Sequence, residues 1–253
     1  MPFLRYALPV LFASLLAGCV SSGYVDPMKS TEGRNQARDA YISLGVGYLE
    51  RGMTEKAKQP LRQALEIDPS SADAHATLAV AFQREMEYEL ADRHYRKALS
   101  LNGSDARLLN NYGGFLFERE RYDDALSHFQ KATEDTLYGE RSRVFENLGL
   151  TYLRLERKED ARAAFVRSLR LNARQPRALL EMAILSYEAG DYPAANSYYR
   201  SFSQLSEQSA RSLLLGARLA KAFDNRDRAA SLGLQLRRLY PGSAEYKQYL
   251  SEQ

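Results

Sequence analysis

The sequence predicts an all-α protein, a superhelix of six helix-turn-helix repeats, and three observations predict it. Mutually alignable stretches begin at Arg38, Ala72, Ala106, Ser142, Pro176 and Ala210, spaced 34, 34, 36, 34 and 34 residues. The twentieth residue of every stretch is alanine: Ala57, Ala91, Ala125, Ala161, Ala195 and Ala229. The eighth is never larger than a methyl group: Gly45, Ala79, Gly113, Gly149, Ala183 and Ala217. Small residues at two fixed places let a pair of helices close on each other. A hairpin of this size cannot bury its apolar face alone, so copies must stack.

Before the repeats, residues 1–18 read as a lipoprotein signal peptide. Arg5 is a minimal positive region, and the apolar run over residues 6–16 matches a secretory core but is too short to cross about 30 Å of hydrocarbon. The run ends in Leu-Ala-Gly-Cys, which resembles a bacterial lipobox with Cys19 as the lipidated residue. Cys19 is the only cysteine, so an internal disulfide is impossible. Val20, in place of aspartate, resembles the sorting pattern of outer-membrane lipoproteins. Residues 19–37 are rich in serine, glycine and proline and read as a lipidated flexible tether.

Residues 38–243 hold the six repeats. Leu44, Leu78, Tyr112, Leu148 and Met182, and on the second helices Leu61, Tyr95, Phe129, Phe165 and Tyr199, are the large residues expected to pack between hairpins. Pro69 and Pro241 end second helices, because proline cannot continue one. Gly52 and Gly190 sit in intra-hairpin turns, and Pro193 suits a first helical turn. Asp123 is expected to cap the second helix of the third repeat. Gly216 and Gly233 replace large residues in the sixth repeat, and residues 244–253 form a tail or capping helix over it.

The composition excludes several classes of function. Lys+Arg of 35 against Asp+Glu of 32 gives +3, too little for a nucleic-acid binder, which concentrates basic charge. No catalytic motif occurs, and no small-molecule substrate or cofactor is expected beyond a covalent lipid on Cys19. His94 and His128, one period apart, should be neighbours on successive second helices. Two histidines without a third ligand do not make a metal site.

The pattern resembles the tetratricopeptide repeat, whose arrays wind as right-handed superhelices. In such arrays repeat positions 5, 9 and 12 face a concave channel. The resemblance therefore implies a partner-binding groove of Ile42, Val46, Leu49, Val80, Asn110, Phe117, Leu150, Leu153, Ile184 and Tyr187. This column is largely apolar and lacks the lysine, asparagine and arginine set that grips terminal carboxylates in some repeat families. It is expected to take an apolar or amphipathic segment. Arg107, Arg143, Arg177 and Arg211 form a second column, at repeat position 2, that is either solvated or orients an elongated partner.

Three stretches carry a closer resemblance: ARDAYISLGVGYLERG (37–52), LLNNYGGFLFERERYDDAL (108–126) and GERSRVFENLGLTYL (139–153). With the lipobox and the closing repeat they resemble the type IV pilus biogenesis/stability lipoproteins (the PilF/PilW-type pilotins). The resemblance implies an outer-membrane lipoprotein, facing the periplasm, that binds the pilus secretin and helps it reach the membrane and multimerise. A repeat lipoprotein that scaffolds outer-membrane protein insertion or cell-wall enzymes is the alternative.

Overall fold

The structure, a computed structural model, describes residues 26–252. The signal peptide and Cys19 lie outside the described residues. After a 3-10 turn at Pro27–Lys29, the described residues form helices only. The first hairpin pairs α1 (Thr31–Glu50) with α2 (Thr54–Ile67), and the second pairs α3 (Ala72–Arg84) with α4 (Tyr88–Leu101). Then follow α5 (Ala106–Glu118) with α6 (Tyr122–Ala132), and α7 (Arg141–Arg154) with α8 (Lys158–Leu171). The last pairs are α9 (Pro176–Glu188) with α10 (Tyr192–Ser203), and α11 (Ala210–Ala222) with α12 (Arg226–Leu239). A short α13 (Ala244–Ser251) closes the chain. The fold class is all-α, built from tetratricopeptide hairpins. Two compact units divide it, one ending at Pro69 and the other beginning at Ser70.

The first unit corrects the expected tether. Helix α1 starts at Thr31, so residues 31–37 are helical rather than flexible. The Ser30 hydroxyl accepts the Gly33 N–H at 2.9 Å, and Glu32 occupies the first turn, where a carboxylate suits the helix dipole. Arg38 then reaches Asp68 at 3.1 Å, tying the start of the hairpin to its end. Leu44, at a position expected to be covered, is 48% exposed. As the first hairpin it has no preceding hairpin to pack on.

Inside the hairpins the small residues do what their spacing implies. The alanines at position 20 are fully buried from Ala57 through Ala195, and Ala229 in the last hairpin is half-buried. A methyl group at Gly149 would sit 2.5 Å from the Phe165 ring, and one at Gly113 would sit 2.7 Å from Phe129. The two glycines of the sixth repeat have a separate cause. A Cβ at Gly216 would overlap the Tyr199 hydroxyl, and one at Gly233 the Tyr249 hydroxyl. The missing bulk comes from the preceding hairpin and from α13, with Leu213, Leu214 and Leu236 buried beside Tyr240, Tyr246 and Tyr249.

Every hairpin turns its corner at the same place. Repeat position 15 has positive φ in all six: Gly52 (71°), Met86 (62°), Glu120 (59°), Glu156 (59°), Gly190 (77°) and Asp224 (53°). Only two of these are glycines, although the left-handed region costs an L-residue about 1–2 kcal/mol. Replacing Met86, which is 73% exposed, with glycine is expected to raise unfolding stability by about 0.5–1 kcal/mol, measured by chemical denaturation. Unchanged or lowered stability would show that the Met86 side chain compensates for the strain. The third hairpin carries a further correction. Arg121, not Asp123, occupies the N-cap of α6, and Asp123 and Asp124 lie in the first turn.

Candidate partner-binding cleft

Between hairpins of the second unit, ion pairs join repeat position 2 to an acid of the preceding repeat. Arg107 binds Asp73, with Asp105 at 3.2 Å. Arg177 approaches Glu146 at 3.6 Å, and Arg211 takes both oxygens of Glu181, Nη2 to Oε2 at 2.8 Å. The arginine column is thus neither merely solvated nor free to orient a partner, because three of its four members are used in stacking.

The exception is Arg143, at the junction of the third and fourth hairpins. Among the described residues it pairs only with the exposed Glu140, at 3.3 Å. Here the cross-repeat contact is neutral, with Asn147 Nδ2 donating to Asn110 Oδ1 at 3.0 Å. The amide orientations are assigned from this bonding pattern. In front of this pair lies a cleft of about 720 Å³ between the first helices of the second to fifth repeats. Val80, Gly114, Phe117 and Leu150 supply apolar wall. Gln83, Asn110, Asn111, Glu118, Arg143, Asn147 and Arg177 supply polar groups.

These polar groups are held in place. Tyr95, buried on α4, donates its hydroxyl to Gln83 Oε1 at 3.0 Å, and Gln83 Nε2 donates to Glu118 Oε2 at 2.7 Å. Asn110 is buried, and its Nδ2 and the Asn147 Oδ1 retain bonding capacity for a ligand. A donor and an acceptor side by side match the C=O and N–H of a peptide group. Glu146, at repeat position 5, is buried between hairpins. Its Oε2 has no partner among the described residues, and burial raises its carboxyl pKa in opposition to the Arg177 charge.

Of the residues assigned to the groove, Val80, Asn110, Phe117 and Leu150 come together in this cleft. Leu153 packs against the cluster of Phe165 and Met182, and Ile184 and Tyr187 pack against that of Tyr199 and Leu215. Those three residues serve the stack. In the first unit Leu49 is buried, Ile42 half-buried and Val46 38% exposed. The expectation of a dominantly apolar channel is corrected. Positions 5, 9 and 12 omit the side chains that repeat positions 2 and 6 send in, namely Arg143, Arg177, Asn111 and Asn147.

The histidines also differ from expectation. His94 lies beside His75 of α3, Nδ1 to Nδ1 at 3.0 Å, while His128 packs edge-on against Tyr112. Burial, followed by the charges of His75 and Arg93, lowers the His94 pKa to about 4, so it is neutral at pH 7.

Comparison with known proteins follows the same geometry. Models of the tetratricopeptide repeat match residues 39–71, 104–174 and 147–210. The type IV pilus assembly protein PilF of Pseudomonas aeruginosa is 59% identical over 248 residues, 98% of each chain. A solved structure of P. aeruginosa PilF superposes with a TM-score of 0.86 at 61% identity, covering 87% of this chain and all of the other. The crystal structure of PilW, a type IV pilus biogenesis factor, matches with a TM-score of 0.73 at 28% identity over 85% of this chain and 99% of its own.

Proposed function

This chain belongs to the family of tetratricopeptide-repeat proteins of type IV pilus assembly, and from that membership we propose that it is a pilotin: an outer-membrane lipoprotein that binds secretin subunits. The observation that carries the reading is 59% identity to PilF along 98% of both chains. Cys19 would hold the acyl chains, at about 0.8 kcal/mol per buried CH₂, and face the repeats into the periplasm. The lipid brings bound secretin subunits to the membrane, where later encounters become effectively intramolecular.

The cleft is the proposed secretin-binding surface. Phe117, Val80 and Leu150 would take apolar side chains of an extended segment, and the Asn110–Asn147 pair its backbone polar groups. Backbone groups removed from water must find such partners, each worth about 1 kcal/mol net. Phe117→Asp is expected to lower secretin affinity about thirtyfold (~2 kcal/mol, the scale of an interface hot spot) while helicity is retained. Asn147→Ala should cost about fivefold. Co-purification of secretin with each variant checks this. Undiminished binding by both variants, with unchanged circular dichroism, sinks the cleft assignment.

A further inference from the structure

The one break in the 34-residue period, two extra residues before α7, builds a second surface. The loop it creates is fixed rather than slack. Leu137 N–H donates to Asp135 Oδ1 at 2.9 Å, and Arg141 Nε donates to the Thr133 carbonyl at 2.9 Å. At its tip Leu137 is 93% exposed, an aliphatic side chain held almost wholly in water.

Next to this loop is a pocket of about 260 Å³ lined by Arg141, Phe145, Arg167, Arg170 and Leu171. The Phe145 ring is flanked by the guanidiniums of Arg141 and Arg167, 5.3 and 5.4 Å from its centroid. Leu171 is 52% exposed. None of these three arginines has a carboxylate within 4 Å among the described residues, whereas Arg107, Arg177 and Arg211 are paired across repeats. Of the loop's three acids, Asp135 holds Leu137 N–H and Glu140 pairs with Arg143, while Glu134 is exposed.

We propose that this surface docks on an anionic phospholipid bilayer, the guanidiniums taking lipid phosphates while Leu137 enters the interface. Guanidinium matches phosphate in charge and in its paired N–H geometry. An acidic peptide would satisfy the arginines yet leave Leu137 in water, whereas a membrane interface accommodates both. The proposal goes beyond secretin binding, because the surface is separate from the cleft residues.

The test uses residues 26–253, which omit the proposed anchor. A solved chain at 61% identity is matched along its whole length by 87% of this one, so a chain of about that extent folds on its own. Sedimentation is compared with vesicles of phosphatidylcholine alone and of phosphatidylcholine mixed with phosphatidylglycerol. The protein is expected to bind only the charged vesicles. Arg167→Ala with Arg170→Ala should lower partitioning about thirtyfold, about fivefold per guanidinium. Leu137→Ser should lower it about tenfold. Secretin co-purification should be unchanged in both, which separates this result from a failure of the pilotin reading. Equal binding to both vesicle types, or an unimpaired double arginine variant, overturns the proposal. So does capture of polyglutamate as strongly as charged vesicles, which would make the patch a protein-docking site.

Discussion

Phe165→Ala is expected to destabilise the second unit by about 3–5 kcal/mol, among the largest effects any single substitution here should produce. Phe165 is fully buried on α8, and its ring lies against the bare backbone of Gly149 on α7. Truncation leaves a void that rigid helices cannot close. Gly149→Leu alone should be comparably damaging, since even its first carbon would lie 2.5 Å from the ring. Combined, the two exchange bulk across one contact. The double variant should recover part of the loss, with a coupling on the order of 1–3 kcal/mol. Denaturant titration of the four proteins measures it. Simple additivity would mean that this contact does not set the spacing of the hairpin.

Cys19→Ser is expected to have the largest effect in the cell. The variant should leave the membrane fraction, and secretin multimers should fall by on the order of tenfold or more, a smaller factor than the roughly hundredfold lower end of what tethering contributes. Its purified repeat region should bind secretin as before. Fractionation and detection of heat-resistant secretin multimers are the readouts. Normal multimers from an unanchored protein would remove the anchor from the mechanism.

The repeats were legible because close packing leaves a narrow choice of residue. Position 20 admits only a methyl, and position 8 admits a glycine where Leu61, Phe129 or Phe165 presses against it. The corners were half legible. Gly52 and Gly190 announce a left-handed residue, but Met86, Glu120, Glu156 and Asp224 adopt the same conformation because the flanking helices fix it. The start of α1 was hidden by a serine- and glycine-containing stretch whose serine turned out to be a cap.

The cleft was less legible. Its apolar members follow the helical period, but the polar ones depend on which neighbour a side chain meets. Sequence alone does not distinguish Arg143 from Arg177, although one lacks a buried acid on the preceding hairpin and the other has Glu146. The amide pair of Asn110 and Asn147 spans 37 residues, so no local pattern reveals it. His75 and His94 illustrate the same limit, since their contact depends on how α3 meets α4.

The cross-repeat ion pairs give the second unit an order. Asp73, Glu146 and Glu181 each reach forward to an arginine of the following hairpin, while Glu188 reaches back to Lys158 of the preceding one at 2.7 Å. Hairpins joined by these pairs are therefore fitted to particular neighbours, despite the near-identical helical frame. Exchanging the fourth and fifth hairpins would bring Glu181 beside Arg143 and separate it from Arg211. The modules look interchangeable by period and shape, but they are not interchangeable parts. Lengthening or shuffling this array requires rewriting the polar partners at each new seam.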